Sequence, residues 1–323
     1  MKRVYITWSN ENTRSKYISH YFKLEEVYFG YFRSHKRSLA LAAIRYPVLC
    51  LHTFFYLLIK MPDVVFSVNL PVFEPFIVWI WATIFRKKFV IDNHSALFER
   101  KVNSRFLWLI KPAFKRAALA TVTNRKYKEI IESWGGKAEI LPPLVIPNTD
   151  NFIKKHNLKK QITVISSFDI DEPIKEIISA AEKIKDVDFY FTGSLKNLEK
   201  KIITNKPDNV HFTDFIKREE FLSLVNQSIC AIVLTKEDNT LLRGAYEAMS
   251  LETPLIISDF AILKEAFNKG VIHVDNSVNA IVKAVNKIIS EYDTYKIEIT
   301  KLKSATLVTL EKKVEYIHDE YKI

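Results

Sequence analysis

Short runs of β-branched and aromatic residues alternate with helix-like stretches along most of the chain, and the alternation occurs twice. Before residue 142, the strand candidates are Val4–Trp8, Asp63–Asn69, Lys88–Asp92, Ala120–Thr123 and Ala138–Leu141. Helical patterns fall at Arg14–Phe22, Glu74–Phe85, Phe106–Ala118 and Arg125–Ser133. Beyond residue 160 the strands resume at Ile162–Ser166, Asp188–Thr192, Val210–Phe212, Ala231–Leu234, Leu255–Ser258 and Val271–Val274. Helices at Ile174–Ile184, Glu219–Asn226, Leu241–Ser250 and Leu263–Asn268 separate them. Such alternation builds parallel, doubly wound sheets. Pro142, Pro143, Pro147 and Asn148, then a Lys-rich stretch to Lys160, interrupt the pattern. The expected architecture is therefore α/β, with a Rossmann-like domain over 1–150, a linker at 151–160 and a second Rossmann-like domain over 161–295. A C-terminal helical segment, 296–323, is expected to pack back on the first domain. A chain of 323 residues suits two domains with separate cores. Ligands of such sheets bind at the carboxyl ends of the strands, here expected in a central cleft that both domains face.

Composition removes several alternatives. Only 6 glycines are present, and neither G-x-G-x-x-G nor G-x-x-x-x-G-K-[ST] occurs, so the usual dinucleotide and P-loop motifs are absent. Cys50 and Cys230 lie far apart, match no zinc or redox spacing, and read as inert thiols in a reducing compartment. The opening MKRVYITWSN reads as a strand rather than a signal segment, so a cytoplasmic location is expected.

Charge divides unevenly. Residues 1–160 carry 27 Lys or Arg against 11 Asp or Glu, a net of +16; the remainder carries 21 against 26, a net of −5. Aromatic residues interleave with Lys36, Arg37, Arg86, Lys87, Lys88, Arg100, Lys101 and Arg105 in the basic half. The segment Leu39–Ile59 is strongly apolar but is interrupted by Arg45, Pro47 and His52. A spanning helix needs about 20 apolar residues without such breaks, and Pro47 is expected to split this one. A buried or interfacial helix is the expectation, with the basic half peripheral on the cytosolic face of an anionic membrane. No nucleic-acid motif accompanies the charge, so no nucleic-acid partner is expected.

The most informative stretch is residues 234–259, LTKEDNTLLRGAYEAMSLETPLIISD. A strand ends near Leu234; Asp238, Asn239 and Thr240 offer a helix cap; and a helix with Leu241 and Leu242 in its first turn follows. Exposed amides at a helix start favour phosphate. Thr240, Gly244 and Glu247 fall on one stripe beside Arg243, so a carboxylate can accept sugar or ribose hydroxyls while the helix start holds phosphates.

The run from Arg243 to Asp259, R-G-A-Y-E-A-M-S-L-E-T-P-L-I-I-S-D, resembles the E-A-M-x-x-G-x-P-V-I-x-S-D signature of GT-B glycosyltransferases, especially retaining family 4. Pro62–Phe66, Asn69–Pro71 and Val90–His94 are similar to a PDVVFxQNPP…VIDxH pattern. That pattern occurs in family-4-like enzymes and in the chitobiosyldiphosphodolichol β-mannosyltransferase group. Ser166, Ser167, Asp171 and Glu172 resemble the S-S…D-E of the latter. The resemblance spans roughly residues 60–275. It implies a GT-B fold and a hexosyltransferase that uses a UDP- or GDP-sugar and a lipid-linked or glycan acceptor in envelope or exopolysaccharide synthesis. No metal or other cofactor is expected. Family 4 implies retention of configuration, and the mannosyltransferases imply inversion.

The chain also departs from these patterns. The first glutamate of the family-4 pair falls on Asn239, eight residues before Glu247. The arginine and lysine that hold the donor diphosphate align with Ser167 and Glu172, and the loop Ser9–Thr13, with Asn10, replaces a glycine-rich one. Arg243, Arg14 and the helix dipole are the visible substitutes for the missing cations. By resemblance His94 lies beside the transferred sugar, and Asp92 is a candidate base for the acceptor hydroxyl if the reaction inverts. The triplets Asp169–Asp171 and Asp186–Asp188 read as chance acids rather than a metal site. A homologue that binds a nucleotide sugar without transferring it is the competing expectation.

Overall fold

A computed structural model of the chain describes residues 1–9, 13–30, 39–93, 96–99, 107–141, 149, 159–238 and 240–323. Two compact units result, one of residues 1–144 with 310–323, the other of residues 145–309.

The first unit holds β1 (Arg3–Thr7), α1 (Thr13–Phe22), β2 (Glu25–Tyr28), α2 (Leu39–Lys60), β3 (Val64–Val68) and α3 (Phe73–Ile84). It continues with β4 (Lys88–Asp92), α4 (Ala96–Glu99), α5 (Leu107–Arg116), β5 (Leu119–Val122), α6 (Arg125–Ser133) and β6 (Ala138–Ile140). All six strands are parallel, in the order β2-β1-β3-β4-β5-β6. Helices cover both faces, and the central strands are correspondingly continuous apolar runs such as Val64–Phe66 and Phe89–Ile91, all fully buried. Strand β2 escapes the sequence reading because Glu25 and Glu26 break the apolar pattern; it is an edge strand pairing only with β1.

Helix α2 also differs from expectation. It runs unbroken through Pro47. Both Pro47 and Ala43, the residue whose carbonyl loses its partner, lie on the exposed face, so that carbonyl is not trapped in the core. The opposite face is anchored: Trp8 Nε1 donates to Thr53 Oγ1 at 2.8 Å, and Tyr46 stacks on Trp8 with ring centroids 6.2 Å apart.

The second unit holds β7 (Lys159–Val164), α7 (Ile174–Lys183), β8 (Asp188–Phe191), α8 (Lys200–Thr204), β9 (Val210–Phe212), α9 (Arg218–Asn226) and β10 (Ser228–Val233). After these come α10 (Arg243–Ser250), β11 (Leu255–Ser258), α11 (Ala261–Ala266), β12 (Val271–Val274), α12 (Val278–Ser290) and α13 (Tyr292–Tyr321). Its parallel sheet has the order β12-β11-β10-β7-β8-β9. Order reverses at β7 and β10, the switch point where an open α/β sheet takes its ligand. Residues of α13 up to Thr309 belong to this unit, and those from Leu310 to the first. Leu310, Ile317 and Ile323 join Tyr5, Ile18 and Phe66 in the first unit's core, and Lys313 pairs with Glu139.

Glu252 follows α10 with φ of 58°, the left-handed region that favours glycine. Its carboxylate pairs with Lys303 at 3.0 Å and Lys296 at 3.6 Å, and Lys303 Nζ also donates to Thr149 Oγ1 at 3.0 Å. An ion-paired side chain thus accompanies a conformation that glycine would adopt without strain.

Candidate active site

The carboxyl edge of the second sheet gathers most of the expected donor-site residues. Strand β10 leaves the sheet at Val233, and Thr235 is fixed by Ser258 Oγ, which accepts from the Thr235 amide at 2.9 Å. Thr235 Oγ1 donates to Asp171 Oδ2 at 2.7 Å, and the Lys236 amide donates to the Asp171 carbonyl at 2.7 Å. The loops after β7 and β10 are therefore tied together beside the switch point.

Thr240, Leu241 and Leu242 are half-buried and precede the helix, which begins only at Arg243. Leu242 occupies the capping position in an extended conformation and supplies no side-chain cap. This corrects the expected polar cap and the Thr240–Gly244–Glu247 stripe, since Thr240 is not helical. Gly244 faces the sheet instead: a Cβ there would lie 2.6 Å from Ile165 Cγ2 and 3.3 Å from Val233 Cγ1. Glycine is what lets the start of α10 approach the strands.

One turn on, Glu247 is buried at 7% exposure rather than solvated. Its Oε1 accepts from Arg218 Nη1 at 2.7 Å and from Arg243 Nε at 3.1 Å. Arg243 stands largely exposed at 57% and Arg218 at 33%, so two guanidinium groups flank one carboxylate at the mouth of the helix. Arg218 was not singled out from the sequence. Its signal was a cation in the first position of a helix that follows a strand's carboxyl end, where the helix dipole disfavours positive charge.

Ser167 and Glu172 stand where the resemblance expects two cations, but Glu172 does not face outward alone. It folds onto its own loop, accepting from the Ser167 amide at 3.0 Å, the Asp169 amide at 3.3 Å and Ser167 Oγ at 3.2 Å. Burial raises its carboxyl above the ordinary range, and these hydrogen bonds oppose the shift. Of the acidic triplets, Asp169 accepts from Ser167 Oγ at 2.9 Å, Asp171 from Thr235, and Asp188 bonds His211 at 2.9 Å. Among the described residues, no three His, Cys, Asp or Glu side chains converge as a metal set.

In the first unit, Asp92 ends β4 at 2% exposure. Arg14 grips it through Nε at 2.9 and 3.0 Å and Nη2 at 2.7 Å; Tyr5 Oη donates at 2.9 Å and Thr121 Oγ1 at 2.7 Å. Burial would raise this carboxyl, but the Arg14 charge and the hydrogen bonds from Arg14, Thr121 and Tyr5 outweigh it and hold it below the usual range. With roughly four lone-pair sites already engaged, the carboxylate has none left for an acceptor hydroxyl. Asp92, the expected candidate base, thus forms a buried anchor between the end of β4 and the start of α1. Arg14, expected to hold donor diphosphate, is the other half of that anchor.

Glu74 is a second buried acid that the sequence did not single out. Fully buried at the start of α3, it accepts from the Trp8 amide at 2.9 Å and the Val68 amide at 3.0 Å, joining the exits of β1 and β3. Burial pushes its carboxyl well above the ordinary value despite those two bonds. Asn69 donates to Asn93 at the adjoining strand ends. His94, Asn10 and Asn239 lie outside the described residues.

Comparison with known proteins bears on both units. Residues 147–302 match the family model "Glycosyl transferases group 1". No curated protein matches the sequence. A sucrose-phosphate synthase from Thermosynechococcus elongatus superposes with a TM-score of 0.71 at 14% identity, covering 100% of this chain and 98% of that one. Anabaena HepE, in complex with UDP and glucose, gives 0.68 at 14% identity, covering 98% of each chain. A glycosyltransferase from Rickettsia africae gives 0.62 at 14% identity, covering 98% of this chain and 89% of that one. The fold is GT-B.

Proposed function

We propose that this chain, a glycosyltransferase by its group 1 domain and GT-B fold, moves a sugar from a nucleotide donor to a lipid-linked or glycan acceptor. The observation that carries the reading is Glu247, held at the mouth of α10 between Arg218 and Arg243. A donor diphosphate bears about two negative charges at neutral pH. Two guanidinium forks and the uncapped amides of α10 are suited to that charge. Glu247 holds both arginines, and in this reading its carboxylate also accepts a hydroxyl of the sugar or ribose.

A UDP-sugar is the first donor to test, because HepE has been seen with UDP and with UDP-glucose. GDP-sugars follow from the resemblance to the β-mannosyltransferases. His94 is proposed to lie beside the transferred sugar on the same resemblance. The acceptor and its place in envelope or exopolysaccharide synthesis belong to this proposal.

Thermal melting of the full chain with UDP, GDP, UDP-glucose and GDP-mannose tests the donor side. A ligand at 100 times its Kd stabilises by about 2.7 kcal/mol, a clear shift. Release of sugar from the stabilising donor then tests chemistry. Nucleotide binding without transfer to any acceptor or to water would favour the second reading, a non-catalytic nucleotide-sugar binder. Ser167 and Glu172, in place of the diphosphate-binding cations, are the observation on that side.

A further inference from the structure

Helix α2 presents two faces of different kinds. Leu49, Thr53 and Leu57 are buried in the first unit. On the other side, Leu41, Ile44, Val48, Leu51, Phe55 and Leu58 are 39–67% exposed. Their spacing alternates between three and four residues, so they form one continuous stripe of about five turns. Nothing among the described residues covers it. Ile59 extends it at 78% exposure, and Ile84, at the end of α3, adds another large apolar side chain at 60%.

The segment Leu41–Lys60 is long and apolar enough to cross a membrane. Spanning is incompatible with its other face, which is bonded to Trp8 and packed into the core. A helix with one face docked and the other apolar and bare is suited to lying along an interface rather than through it.

We infer that the exposed face of α2 rests on an anionic membrane surface, apolar stripe in the headgroup–acyl boundary. Charge selects this occupant. Over the described residues 39 to 62 the chain carries Arg45 and Lys60 and no Asp or Glu, and Lys60 is exposed at the end of the stripe. Anionic headgroups complement that run, whereas a second copy of this chain would set it against itself in an isologous contact with no carboxylate to pair. The β3–β4 register, with Val64 opposite Lys88, brings the end of α2 near the Arg86–Lys87 turn that follows α3. Ile59, Lys60, Ile84 and Arg86 are all exposed there, mixing apolar and basic groups as an interface requires. The inference stands apart from which sugar is moved, because lipid binding and nucleotide binding are read separately.

The test is flotation of the full chain with vesicles of phosphatidylcholine, with and without about 30% phosphatidylglycerol, across a salt series. Basic side chains at an anionic surface each strengthen attachment several-fold, so the mixed vesicles should retain at least about tenfold more protein at low salt. That advantage should shrink as salt screens the surface. The double variant Leu51→Glu/Phe55→Glu should lose the binding while melting as the wild type and keeping its nucleotide-induced shift. Ile297→Glu/Val308→Glu, exposed apolar positions on α13, should keep it. Wild-type failure to float with anionic vesicles, or equal flotation of the α2 variant, overturns the inference. So does a wild-type dimer that the α2 variant splits without any change in lipid binding.

Discussion

Arg14 and Asp92, separated by 78 residues in sequence, form a two-pronged ion pair with contacts of 2.7–3.0 Å, the carboxylate at 2% exposure. The pair ties the first turn of α1 to the end of β4. Both residues had been assigned to chemistry on the strength of their positions. Their geometry makes them a buried link between two elements of the first unit.

Asp92→Asn should destabilise the chain by about 3–5 kcal/mol, because it strands a guanidinium in a mostly buried site. Urea denaturation measures this. Asp92 has its carboxyl depressed in the fold, so the pair's contribution is fully present above the unfolded value of about 3.9. It is lost as pH falls through the lower folded value. The variant's deficit should therefore narrow in strong acid.

Much of the fold was legible because its parallel strands are short, largely apolar runs; Lys88–Asp92, Val210–Phe212, Leu255–Ser258 and Val271–Val274 are found with the bounds expected. Glu25–Tyr28 escaped because two glutamates replace the apolar run, whereas the other edge strands, Val210–Phe212 and Val271–Val274, keep theirs. Pro47 misled because a helix tolerates proline where the freed carbonyl lies on an open face. The pairing of Arg243 with Glu247 was within reach of the 243–259 segment, since the two are neighbours on one helix. Arg218 was hidden because its contact with Glu247 crosses 29 residues and two elements.

Gly244→Ala should destabilise by about 1–3 kcal/mol through overpacking, since the new methyl meets Ile165 Cγ2 at 2.6 Å. Ile165→Ala in the same chain should recover part of that loss. A double-mutant cycle of chemical denaturation checks the coupling.

Glu252→Gly relieves a left-handed backbone, worth about 1 kcal/mol, yet should still lower stability. It removes the carboxylate from Lys303, which is only 8% exposed, and breaking such a pair costs about 3–5 kcal/mol. Adding Lys303→Met should reverse the sign, leaving the double variant more stable than Glu252→Gly alone. Thermal melts of the wild type and these two variants decide it. Glu252 is also held below the usual carboxylate range: burial opposes this, but Lys303 and Lys296 prevail. Its contribution should therefore be present above about pH 4.3 and fade as pH falls further.

Calorimetric titration of the bound nucleoside diphosphate and its bare nucleoside into the wild type, Arg218→Ala and Arg243→Ala tests the proposed donor site most directly. Each arginine should contribute about 1.5–3 kcal/mol to the diphosphate, a loss of roughly 10- to 150-fold on removal, with the nucleoside nearly unaffected. Arg243→Lys should restore only part of the affinity, because an ammonium cannot offer the planar fork. Equal loss of diphosphate and nucleoside binding in the alanine variants, or unchanged diphosphate affinity in both, would contradict a donor site built around Glu247.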